Sequence, residues 1–167
     1  PTDHYDVLVI GGGPAGMMAA VVAADGGKRV RLIEKNSSLG NKLNISGGGR
    51  CNITNAEYDT RTLLAHYGKA ANFLYSPFSQ FDVSDTFAFF ENRRLPLQVE
   101  ARNRAFPVSQ KASDVTAVLS RALKRARVDV VFDCGVTSLN RKDNQIASVS
   151  TTRGDFEAES YLLATGG

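Results

Sequence analysis

Four apolar residues in a row, Val7-Leu8-Val9-Ile10, run directly into Gly11-Gly12-Gly13-Pro14-Ala15-Gly16. A short unbroken apolar run suits a strand buried on both faces. Met17 to Ala24 is apolar and mostly small, which predicts a helix packed on a sheet, and Asp25-Gly26-Gly27 ends it. Arg29 to Ile33 is the second strand, with Glu34 at its C-terminal end. Thr60 to Tyr67, Ala71 to Phe81 and Ser84 to Asn92 read as helices. Ser84 and Asp85 cap the last and Pro96 closes it. Phe87, Ala88, Phe90 and Leu95 mark one buried face there, and Phe73, Phe78, Phe81 and Phe89 are also expected in the core.

Leu97 to Ala101 and Ala105-Phe106 predict a hairpin around Arg102-Asn103. Ser109 to Ala126 is an amphipathic helix with Val115, Val118, Leu119 and Leu123 as its stripe. It crosses over to a strand at Val128 to Phe132. Val136 to Leu139, Ile146 to Thr151 and Phe156 to Leu163 are three more strands, with turns at Asp143-Asn144 and Arg153-Gly154. Leu162 to Gly167 reads as a buried strand running into glycines, which suggests a fragment of a longer protein. The expected fold class is α/β and Rossmann-like: a parallel sheet with crossover helices, plus a small antiparallel β meander.

The first unit carries chemistry. Strand, glycine turn, helix, strand and acid together hold a dinucleotide by its pyrophosphate and ribose. Gly11 permits the tight turn, Gly13 lets the pyrophosphate approach the backbone, and Gly16 lets the helix pack closely. Pro14 loses nothing in the first helical turn, and the amides at Ala15 and beyond point their dipole at phosphate. Glu34 would accept the hydroxyls of an adenosine ribose and repel a 2′-phosphate, which favours FAD or NAD over NADP.

Charge adds little. The 167-residue chain carries a formal net charge of +3. Arg121, Lys124, Arg125 and Arg127 cluster at a helix end, where cations complement the dipole. Nucleic acid is therefore not an expected partner. No apolar run approaches the roughly 20 residues that span a membrane, so a membrane is not expected either. Cys51 and Cys134 form no CxxC, which fits reduced thiols and a cytoplasmic location.

A second glycine cluster, Ser46-Gly47-Gly48-Gly49-Arg50-Cys51-Asn52, is no ordinary linker. Successive glycines let amides converge on an anion or a flat ring. Lys42 and Arg50 add positive charge that would favour a reduced, anionic flavin ring. A mobile surface loop is the competing reading.

Lys42-Leu43 and the ISGGGRCN run, after a GGGPAG turn, resemble the aminoacetone oxidase/BaiN-like FAD-dependent flavoproteins. So do Phe106-Pro107-Val108-Ser109 and the terminal Ala164-Thr165-Gly166-Gly167. The resemblance implies a glutathione-reductase-type FAD domain, here residues 1–167 as its N-terminal part. A substrate domain and the rest of the FAD domain would be missing, leaving little turnover. It places Gly11, Gly13, Pro14, Ala15 and Gly16 at the pyrophosphate, Glu34 at the ribose and Lys35 beside the adenine. Lys42, Ser46, Gly47, Gly48, Gly49, Arg50, Cys51 and Asn52 would lie along the flavin. Val136 would contact adenine through its backbone, and Ala164, Thr165 and Gly166 would pass near the phosphates.

The function implied is a flavin-dependent oxidoreductase of a small-molecule substrate, by amine oxidation or by reduction with NAD(P)H as donor. A non-catalytic FAD or NAD module and an FAD-dependent nucleic-acid modifier are the alternatives. The catalytic residues are unassigned. Cys51 could act as a redox thiol, but a packing role is favoured. Cys134 is expected in the core and His4 in solvent, and His66 has no partner at metal spacing. Tyr67 and Tyr75 could border a substrate pocket. Arg102 and Arg104 could bind an anion, although a solvated hairpin tip is the favoured reading.

Overall fold

Residues 4–166 are described by a computed structural model of the protein. In chain order the elements are β1 (Tyr5–Ile10), α1 (Pro14–Asp25), β2 (Val30–Ile33), α2 (Asn41–Ile45), β3 (Thr54–Asn55), α3 (Thr60–Ala65), α4 (Ala71–Gln80) and α5 (Val83–Glu91). They continue with β4 (Leu97–Glu100), β5 (Arg104–Pro107), α6 (Ala112–Arg125), β6 (Asp129–Val131), β7 (Val136–Lys142), β8 (Gln145–Thr151), β9 (Gly154–Phe156) and β10 (Ala158–Leu163). The chain divides into two units, residues 4–43 with 119–166 and residues 44–118. Gly167, the last residue of the terminal motif Ala164-Thr165-Gly166-Gly167, lies outside the described residues.

The first unit is built on a parallel sheet of order β10-β1-β2-β6. β1 and β2 pair in register from Val7 opposite Val30 to Ile10 opposite Ile33. Leu8, Val9, Leu32 and Ile33 are at most 1% exposed, as strands covered on both faces require. α1 buries Gly16, Met17, Ala20 and Val21. The meander is a separate antiparallel sheet, β7-β8-β9. Its Val149 joins Leu8, Ile10, Ile33 and Cys134 in one core cluster. The turn at Asp143-Asn144 has positive φ at both residues, the geometry that favours Asn in tight hairpins.

Two expectations change here. Phe156 to Leu163 is not one strand: Gly154–Phe156 closes the meander, and Ala158–Leu163 returns to pair in parallel with β1. Nor is that last strand buried, since Leu162 is 37% and Leu163 59% exposed. β10 is a sheet edge, and an apolar run alone does not distinguish an edge from a centre.

The second unit holds an antiparallel sheet, β3-β5-β4, and helices α3 to α5. The Arg102-Asn103 turn between β4 and β5 is as expected, with both residues at positive φ. The cap of α5 is Asp82, not Ser84: its side chain accepts from the Asp85 amide while Asp85 accepts from the Asp82 amide, a reciprocal capping box. The aromatic residues are only partly core. Phe90 is buried and Phe78, Phe87 and Phe89 are half-buried, but Phe73 is 81% exposed and Phe81 also exposed. α4 turns Ala71, Leu74 and Phe78 inward at helical spacing, and Phe73 falls off that stripe. Tyr67 and Tyr75 are exposed as well.

Candidate functional site

The turn after β1 is dictated by what a side chain would strike. A Cβ on Gly11 would collide with the Ala164 carbonyl, and Gly11 sits at φ +113°. A Cβ on Gly16 would collide with the Gly11 carbonyl oxygen, so Gly16 is required by the turn itself. On Gly12 it would stand 2.5 Å from Leu39 Cδ2 and 2.9 Å from Glu34 Oε2. Gly13 differs: a Cβ there would meet nothing within 4 Å. Gly13 caps α1 with extended backbone and Pro14 takes the first helical position. The Met17 amide already bonds the Gly13 carbonyl, while the Ala15 and Gly16 amides fall among those a helix start leaves without helical acceptors.

A cavity of about 390 Å³ opens at this turn. Its wall brings together Gly11, Gly13, Pro14, Ala15, Glu34, Lys35, Lys42, Val136, Ala164, Thr165 and Gly166 from the expected set. Gly16 lies beneath the turn. Gly12, Asn36, Gly40, Asn41 and Cys134 also line the cavity and were not anticipated there. The triple glycine could have flagged Gly12, but nothing in the sequence marks Asn36.

Glu34 is 8% exposed and closely held. Its Oε2 accepts from the Gly12 amide at 2.7 Å. Its Oε1 accepts from the Asn36 amide at 2.9 Å and from Asn36 Nδ2 at 2.5 Å. Two donors fill Oε1, which leaves one acceptor position on Oε2.

The second glycine cluster belongs to the other unit. Gly47, Gly48 and Gly49 form a 3₁₀ turn with φ of 56°, 68° and 82°. A left-handed run of this kind is open to glycine and costly to other residues. A Cβ on Gly48 or Gly49 would meet nothing within 4 Å, whereas on Gly47 it would press on the Asn52 amide at 2.8 Å. Arg50 interrupts the run at φ −101°, and Cys51 returns to φ 61° with its amide bonded to the Ser46 carbonyl. With its amide turned to suit its neighbours, Asn52 donates to the Thr54 and Ala105 carbonyls.

Arg50 is not the uncompensated cation that its sequence context suggests. Its Nη1 donates to both Glu100 oxygens at 3.1 Å and to Gln110 Oε1 at 2.9 Å. Desolvation pushes the Glu100 carboxyl up, but the hydrogen bond and charge of Arg50, with Gln98 and Gln110, outweigh it and hold the group below its ordinary value. Cys51 is 5% exposed. Burial pushes its thiol up against a weaker opposing hydrogen bond with Ser46, which disfavours the reactive thiolate.

Apart from Cys134, which borders the cavity, the remaining candidates lie outside its wall. Cys134 is buried and its Sγ donates to Thr151 Oγ1 at 3.3 Å. His4 is exposed and meets Glu159 at 3.2 Å, and together with Asp6 they form a solvent-facing group of three potential ligands. Arg104 donates to the Ala101 carbonyl. Among the described residues no helix is long and apolar enough to cross a membrane.

Comparison with known proteins agrees with this architecture. The model of the HI0933-like protein Rossmann domain matches residues 5–167. A 3-dehydro-bile acid delta(4,6)-reductase of Clostridium scindens is 32% identical over 165 residues, covering 95% of this chain and 38% of that protein. A ribosomal RNA dihydrouridine synthase of Escherichia coli is 37% identical over 86 residues, 50% of this chain and 21% of that protein. The chain thus spans well under half the length of these relatives. The 3-ketosteroid-delta4-(5alpha)-dehydrogenase of Rhodococcus jostii superposes with a TM-score of 0.71, covering 98% of this chain and 46% of that one. Its 16% identity speaks for the fold alone. Matched over nearly its whole length, the chain belongs to the HI0933-like protein Rossmann domain family.

Proposed function

We propose that this chain is the FAD-holding part of a flavin-dependent oxidoreductase acting on a small molecule. The cavity beside Gly13 carries the reading: the α1 amide donors and the open space at Gly13 suit a pyrophosphate. Phosphate would take the α1 amides at Ala15 and Gly16, where two orphan donors and the helix dipole favour an anion. Glu34 would accept one ribose hydroxyl directly on Oε2. Lys35 and Val136 would flank the adenine, and Ala164 to Gly166 would pass the phosphates. Lys42 and the segment Ser46 to Asn52 would serve the ring end. Once bound, FAD would supply hydride exchange at its ring, with NAD(P)H as the proposed electron donor. A cytoplasmic setting fits the two free thiols.

The test is Gly13→Ala in the full-length protein. Gly13 has φ −76°, which alanine adopts readily, and the new methyl has room. Folding is expected to change by less than about 1 kcal/mol, since the cap position changes only from glycine to alanine. The preparation is expected to lose its yellow flavin absorbance. A Gly13→Ala protein that keeps its flavin overturns the assignment.

A second reading, an FAD-dependent enzyme acting on RNA, is favoured by one specific observation. Two relatives are ribosomal RNA dihydrouridine synthases, and the one of Haemophilus influenzae matches across 99% of this chain at 24% identity. The expectation of no nucleic-acid partner therefore gives way to a test.

A further inference from the structure

Arg50, Glu100 and Gln110 lie 50 and 60 residues apart in sequence, yet they close into one polar ring. Arg50 Nη1 bonds both Glu100 oxygens and Gln110 Oε1. Gln110 Nε2 donates to Glu100 Oε1 at 3.2 Å, and Gln98 Nε2 reaches the same oxygen at 3.3 Å. The Arg50 guanidinium lies 4.1 Å from the centroid of Phe106, a residue 1% exposed. Phe106 also floors the glycine run, because a Cβ on Gly47 would stand 3.2 Å from its Cε1. Arginine, ring and first glycine are thus seated on one buried platform. Cys51 and Gln110, both non-glycine, hold φ near 60° beside it, a conformation that persists where its surroundings enforce it.

We propose that Glu100 and Gln110 are positioning residues for the cofactor: they hold Arg50 on Phe106 and so fix the left-handed bend of Gly47, Gly48 and Gly49. This rests on the reading that the bend serves the flavin end of FAD. Because the Arg50 charge is already compensated by Glu100, the segment presents a shaped backbone to the ring rather than a bare cation.

The experiment uses the full-length protein with Glu100→Ala, Glu100→Gln, Gln110→Ala, Arg50→Ala and the Arg50→Ala/Glu100→Ala pair. FAD affinity is read by fluorescence quenching, and the ring's surroundings by visible circular dichroism of the bound flavin. Glu100→Ala is expected to weaken FAD binding at least tenfold and to change the flavin dichroism. Glu100→Gln keeps an oxygen for Arg50 and is expected to restore affinity to within threefold. In the Arg50→Ala background, Glu100→Ala is expected to add nothing, as it acts through Arg50. Gln110→Ala leaves the ion pair intact and is expected to show a smaller shift of the same sign, which serves if Glu100→Ala does not fold.

Unchanged affinity and dichroism in Glu100→Ala, or losses that multiply in the double variant, overturn the proposal. Wild-type protein that takes up no FAD sinks the flavin reading instead. Hydrogen exchange of the peptide 44–53 then decides the clamp: faster exchange in Glu100→Ala upholds its hold on the bend, and equal exchange refutes it.

Discussion

Replacing Glu34 should harm the fold and the cofactor by separable amounts. Three N–H groups end on this carboxylate: the backbone amides of Gly12 and Asn36 and the Asn36 side-chain amide. Glu34→Ala strands the Gly12 and Asn36 amides in a site where the acid was only 8% exposed. A buried unsatisfied donor costs about 1–3 kcal/mol, so the two together cost about 2–6 kcal/mol. That is a large part of the roughly 5–15 kcal/mol that holds a domain. Glu34→Gln is the sharper probe. Its oxygen can keep the Asn36 pair, but its amide nitrogen then faces the Gly12 N–H, donor against donor. One hydrogen bond to a charged acceptor is lost, about 1.5–3 kcal/mol. The same nitrogen replaces the acceptor position left for a ribose hydroxyl. FAD affinity should fall by a similar amount, roughly 10- to 150-fold at about 1.4 kcal/mol per decade. Urea unfolding of the apo form measures the first quantity and flavin fluorescence titration the second. If Glu34→Gln unfolds at the wild-type midpoint and binds FAD as tightly, the carboxylate holds neither the turn nor the ribose.

Three further outcomes are expected. Cys51→Ala should leave flavin reduction and reoxidation rates within about twofold, because a thiol pushed up by burial is a poor nucleophile; a loss of a hundredfold in stopped-flow reduction would restore the redox-thiol reading. Burial alone would raise the Asp129 carboxyl, but hydrogen bonds from Tyr5 and Arg31 and the Arg31 charge hold it below its ordinary value. A depressed acid gives stability that is complete above its unfolded pKa and lost as pH falls through the folded one. Asp129→Asn should therefore cost about 1 kcal/mol at pH 6, a modest figure for a half-exposed pair. The gap to wild type should close below about pH 4 in urea melts, and a gap independent of pH would refute the charge argument. If RNA is the partner, the exposed cations Arg121, Lys124, Arg125 and Arg127 are its first candidate contacts. Changing all four to Gln should lower the slope of log K against log salt by up to about 3, at roughly 0.7 per phosphate contact on a single strand. Binding with an unaltered slope would remove them from any interface.

The legible and illegible parts of this protein differ in one physical respect, the sequence distance over which the deciding contact is made. β1, the glycine turn, α1, β2 and Glu34 are contiguous, and each constrains the next through backbone geometry, so a reading of that one stretch captures them. The Gly12 amide meets Glu34 within that span, yet only coordinates show that the middle glycine holds the acid. At Phe73 the helical period was legible, but whether another layer covers that face is not written in the period. The same gap applies to β10: Leu162 and Leu163 have the composition of a central strand and the position of an edge. Arg50 is the extreme case. Its local sequence offers a free cation among glycines, and its partners come from β4 and from beyond β5, 50 and 60 residues on. Charge in a motif is thus a weaker guide to electrostatics than glycine in a motif is to shape. A glycine's constraint is met by its own backbone, whereas a cation's field is set by whichever carboxylate the fold brings to it.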